Sequence, residues 1–164
     1  MFTKEGIKAL HAWTHECLDL VFDHAEKLPT PLFVKEMEGF GIASVRNLLA
    51  HILYCEAGWV HALQDDLPYA EWKYADYPTV ASLREARKQV FAETLAYLDG
   101  LSEAQLNATV ARRPKGWTKP LRSPAFILHH ILTHAFHHKG QVVTMFRMLG
   151  YPAPDTDLQR AEAP

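Results

Sequence analysis

The stretch SPAFILHHILTHAFHHKGQVVTMFRMLG, residues 123–150, decides the fold. Ser123 stands where an N-cap belongs, Pro124 fits the first turn, and Gly150 with Pro152 closes the far end. Nothing between them breaks a helix of about 26 residues, roughly 39 Å long. One side reads Ile127, His130, Ile131, His134, His138, Gln141, Val142 and Met145; the other carries Leu128, Leu132, Phe136, Val143 and Phe146. A helix apolar on both sides is covered on both sides. Three partner helices bury one of them, so the outer face predicts a homodimer interface.

Three more amphipathic segments precede it. Thr3 caps a first helix to about residue 28, with Ile7, His11, Thr14, Leu18, Val21 and Phe22 inward. Ser44 caps a second, to about Leu63, with one stripe through His51, Cys55, Gly58, Trp59 and Ala62 and another through Val45, Leu49, Ile52 and Val60. Thr79 starts a third, with Leu83, Val90, Thr94 and Leu98 inward and Gly100 at its end. Ser102 and Gln105 match a capping box over a short turn. Residues 64–78 hold Tyr69, Trp72, Tyr74 and Tyr77 and read as an ordered loop; 107–122 read as a small hairpin or an irregular crossover. The pattern predicts an all-α four-helix bundle in one domain, residues 1–164, with a long crossover before the last helix.

Composition excludes several classes. A formal net charge of −2 gives no general basic surface for nucleic acid. No apolar run reaches membrane-spanning length, and two cysteines are too few for a disulfide framework, so a cytoplasmic protein is expected.

The chemistry lies in the inner stripe. His134 and His138, at i and i+4, project one turn apart from one face, a separation at which two imidazoles can share a divalent ion. An apolar setting favours the neutral ring that binds metal. His51, on the inner stripe of the second helix, is the candidate third ligand. Three imidazoles suit zinc, nickel, iron or cobalt rather than magnesium or calcium, and they leave a coordination position open. Cys55, one turn from His51, is either a fourth ligand or a packed thiol. Gln141 serves a ligand, a water or the core, while His11, Thr14, Trp59 and Met145 read as core. Glu56 points away from the His51 face by helical angle, and no carboxylate occupies an evident general-base position.

Two segments are similar to a known family. Ser44-Val-Arg-Asn-Leu-Leu-Ala-His51 and His130-x-x-x-His134-x-x-x-His138-Lys-Gly-Gln141 resemble the DinB/YfiT-like superfamily. The resemblance implies a four-helix bundle, commonly dimeric, with a three-histidine metal site that falls on His51, His134 and His138. Lys139 stands where arginine is frequent, which keeps the charge without bidentate geometry. Characterised relatives include metal-dependent enzymes using low-molecular-weight thiols such as bacillithiol or mycothiol. The resemblance therefore implies a thiol-dependent S-transferase or a hydrolase acting on a small electrophilic molecule. The alternative is a non-catalytic metal-binding or stress-response helical dimer.

Overall fold

A computed structural model of the chain describes residues 1–64, 69–109, 120 and 122–158. Its four long helices are α1 (Lys4–Ala25), α3 (Val45–Gln64), α4 (Val80–Asp99) and α6 (Pro124–Met148). Two short ones, α2 (Thr30–Phe33) and α5 (Glu103–Asn107), sit in the connections. There is no strand among the described residues.

Each long helix begins on a side chain that can accept from an orphan backbone N–H. Thr3 Oγ1 accepts from Gly6 N and Ser44 Oγ from Asn47 N. Thr79 Oγ1 accepts from Ser82 N, and Ser123 Oγ from Phe126 N. Such caps contribute about 1 kcal/mol each. Ser102 and Gln105 close the reciprocal box that their spacing predicts. At the other end of α6, Gly150 takes a left-handed φ of 82°, and Tyr151 N reaches back to Phe146 O.

The packing order follows from which helices touch. Both α1 and α3 lie against α4 and against α6, which places α1 diagonal to α3 and α4 diagonal to α6. Only the α3–α4 step joins neighbours in the bundle. The other two connections cross a diagonal, which explains the long stretches before α3 and before α6. In this arrangement α3 offers one side to α6 and another to α1 and α4, so two polar clusters can grow on it back to back.

The core divides into two clusters. The larger is built on Leu18, Phe22, Leu48, Leu49, Leu53 and Phe146; the smaller joins Ile7, Val60, Leu98, Leu106, Leu128 and Ile131. Burying each large side chain is worth about 1.5–3 kcal/mol.

One expectation is corrected here. Leu128, Leu132, Val143 and Phe146, assigned above to a dimer interface, are buried within the chain, and Phe136 is half-buried. Leu128 is covered by Ile7, Leu98 and Leu106, and Phe146 meets the His24 ring at 4.8 Å. A second reason is the tail: residues 151–158 run back over the bundle. His24 Nε2 lies 2.9 Å from Tyr151 O, and Lys139 Nζ donates to Thr156 O. Leu128, Leu132, Val143 and Phe146 are thus buried by the chain itself and do not form the expected interface. The side of α6 left open carries Phe126 and Met148, 51% and 60% exposed.

The aromatic segment is ordered where it is described. Tyr69, Trp72, Tyr74 and Tyr77 pack against the larger core, and Tyr74–Asp76 form a 3₁₀ turn. The hairpin or crossover expected over 107–122 begins in α5; residues 110–119 and 121 lie outside the described residues.

Candidate metal centre

The three histidines singled out above come together. His51 is delivered by α3, and His134 and His138 by successive turns of the facing α6. One ring nitrogen from each lies within 4.8 Å of the others. The Nε2 atoms of His134 and His138 stand 3.0 Å apart. The His51 ring centroid lies 5.3 Å from that of His134 and 4.8 Å from that of His138.

The outer edges of two rings are held. Gln141 Oε1 lies 2.7 Å from His138 Nδ1, and the Tyr74 hydroxyl 3.2 Å from His51 Nδ1. An amide oxygen only accepts, so His138 carries its proton on Nδ1 and keeps the Nε2 lone pair free. That is the tautomer a metal ligand needs, and a hydrogen-bonded Nδ1–H is its usual support. The aromatic segment thereby acquires a role that its composition did not reveal, since it brings Tyr74 to the back of His51.

The electrostatics point the same way. Burial, then the charges of His138, His51, His130 and His137, push His134 down to about 4. Burial and His138 lower His51. Burial lowers His138 as well, against the hydrogen bond to Gln141, which raises it. All three are therefore neutral near pH 7, when their lone pairs are available.

Cys55 stands at the rim. Its Sγ is 3.4 Å from His51 Nε2, but the thiol does not join the group whose donor atoms lie within 4.8 Å of one another. Burial pushes it up to about 11, so at neutral pH it is a thiol and not a thiolate. Lys139 departs from the site altogether. Its ammonium lies under the C-terminal tail, 4.4 Å from the Phe136 ring centroid.

A second cluster escaped the sequence reading. Glu56, 2% exposed, leaves α3 on the side opposite His51 and meets three donors. His11 Nε2 lies 2.7 Å from Oε1, His15 Nε2 3.0 Å from Oε2, and Thr94 Oγ1 donates to Oε1 at 2.8 Å. The His11/His15 pair has the same i, i+4 spacing as His134/His138, and that spacing was the signal available. Two histidines and a carboxylate could also hold an ion. The outer nitrogens decide against it, because His11 Nδ1 and His15 Nδ1 are buried without a partner. Ligation through Nε2 would force a proton onto each Nδ1 and bury two unpaired donors, at about 1–3 kcal/mol apiece. With Nε2–H donating to an ionised Glu56, each Nδ1 is only an idle acceptor.

Burial works against the Glu56 charge. The His15 ring and the hydrogen bonds from His11 and His15 overcome it and hold the carboxyl well below its ordinary range. Burial lowers His15, keeping that ring neutral. This cluster is a polar clamp joining α1, α3 and α4.

Known proteins place the chain. The profile of the DinB family matches residues 1–164. YizA of Bacillus subtilis (strain 168), itself uncharacterised, is 30% identical over 132 residues, 80% of each chain. Protein DinB of the same organism is 20% identical over 144 residues, 84% of this chain and 82% of its own. The crystal structure of a conserved protein from Enterococcus faecalis superposes with a TM-score of 0.64 at 21% identity. It covers 86% of this chain and 95% of that one, and it shares the fold.

Proposed function

The chain belongs to the DinB family, and on that footing we propose that it is a metal-dependent enzyme acting on a small electrophilic molecule, of the thiol-dependent S-transferase or hydrolase class. His51, His134 and His138 hold a divalent transition ion, with zinc, nickel or iron matching three neutral nitrogens. The observation that carries the reading is the hydrogen bond from His138 Nδ1 to Gln141 Oε1, 2.7 Å long, which fixes the ligand tautomer in advance.

When bound, such an ion is a Lewis acid that brings the pKa of water or a thiol toward neutrality. The chain supplies the rest. Gln141 and Tyr74 orient the rings from behind, and burial keeps them unprotonated. No carboxylate touches the three rings among the described residues, since Glu56 is committed to His11, His15 and Thr94. Either the metal-bound species is its own nucleophile, or a base comes from the 64–78 loop.

The test is cobalt substitution. The Co²⁺-loaded protein is titrated with 2-mercaptoethanol while its visible spectrum is followed. One cobalt per chain and a spectrum that changes on thiol addition are expected, both lost in His138→Ala. A loaded spectrum indifferent to thiol and to azide would mean a closed site, and the non-catalytic metal-binding reading would replace this one.

A further inference from the structure

The stripe of α3 that carries His51 and Cys55 continues through Gly58 and Ala62, and these two nearly bare positions floor a groove of about 280 Å³. Its walls are aromatic. Trp59 stands on one side, its ring against His130 at 5.1 Å, and His130 leads to His134 at 5.8 Å. Tyr54 and Tyr69 form the other side, 5.8 Å apart and 30° from parallel. Tyr69 is braced from outside, because Trp72 Nε1 donates to its hydroxyl at 3.1 Å. The Tyr69 ring lies over Gly58, where a Cβ would meet Tyr69 Cδ1 in ordinary contact at 3.4 Å. Cys55 closes the end nearest the three histidines, its Sγ 3.4 Å from His51 Nε2.

The chemistry of the lining is selective. Among the described residues the lining consists of Tyr54, Cys55, Gly58, Trp59, Ala62 and Tyr69, none of them charged. A carboxylate-bearing thiol or substrate meets no cation among these described residues. A flat apolar group finds aromatic rings beside a floor of Gly58 and Ala62, a lining that favours ring contacts. The volume falls just below the usual range for drug-sized ligands and suits one or two fused rings.

We propose that this groove binds an uncharged aromatic group of the substrate and directs its reactive end at the three histidines. This deepens the function proposed above and rests on it.

Two probes separate the groove from the metal. The first is 2-naphthol, titrated calorimetrically into metal-free protein, where no ion contributes. Sub-millimolar binding is expected, weakened at least tenfold by Ala62→Phe, which fills the floor. Trp59→Leu removes one aromatic wall; it is expected to weaken binding about fivefold and serves if the first variant does not fold. Affinity unchanged in a folded variant overturns the proposal, whatever the metal does.

The second probe compares benzenethiol with mercaptosuccinate on the Co²⁺-loaded protein. The aromatic thiol is expected to bind at least tenfold more tightly, with the preference lost in Ala62→Phe. Equal binding of the two thiols also overturns the groove assignment. Failure to take up cobalt, with naphthol binding intact, would instead sink the metal reading and leave the aromatic site standing.

Discussion

Replacing Glu56 by glutamine tests how the bundle is clamped. Glu56 accepts from His11 Nε2, His15 Nε2 and Thr94 Oγ1, and it is 2% exposed. A glutamine keeps the volume but turns one oxygen into an NH₂ donor, which now faces a ring N–H. That ring must move its proton to Nδ1, where His11 and His15 both lack a partner. The cost is one buried unpaired donor, about 1–3 kcal/mol, plus the charge assistance lost from the remaining bonds. We expect about 2–3 kcal/mol of destabilisation for Glu56→Gln. For Glu56→Ala, which strands two rings and a hydroxyl, about 3–5 kcal/mol is expected, as when one member of a buried ionic cluster is removed. With a urea m-value of about 2 kcal/mol/M, the glutamine variant should lower the unfolding midpoint by about 1–1.5 M, read by circular dichroism. Its metal content should be unchanged. A midpoint shift below about 0.3 M, or loss of metal from this variant, would refute the reasoning that separates the clamp from the metal centre.

Three further outcomes follow from the same geometry. Gln141→Leu removes the acceptor behind His138 and should weaken metal affinity about 10–100-fold with the helical spectrum intact, measured by chelator competition. The metal-free protein should lose stability as pH falls below about 6.5. The folded chain holds His51, His134 and His138 below their ordinary value, so the unfolded chain takes up protons first. The loss should continue down to about 4, where folded His134 itself titrates, and be smaller in His134→Gln; equal pH profiles would argue against it. Lys139→Met should release the tail at residues 151–158, seen as faster amide exchange there, without affecting metal content. Protection unchanged would mean that His24 and the tail's own contacts suffice.

Much of this molecule was legible from residue order. Capping residues Thr3, Ser44, Thr79, Ser102 and Ser123 announce their helices because each solves a local problem of unpaired N–H groups within three residues. His51, His134 and His138 were legible because helical period alone puts them on inward stripes. What failed depended on packing between distant segments. The outer face of α6 looked unpartnered because its cover comes from α1, α5 and the returning tail, none of which periodicity can place. Glu56 looked idle because its partners sit 45 and 41 residues back along the chain and 38 ahead. Tyr74 could not be assigned to His51 because the path of residues 69–78 is set by the core beneath it.

The most direct test of the central claim is elemental analysis of untagged protein beside a variant with His51, His134 and His138 all replaced by alanine. The account predicts about one transition-metal ion per chain, absent from the variant while its helical spectrum persists. Metal retained by the variant, or none taken up by the wild-type protein after reconstitution, would contradict it.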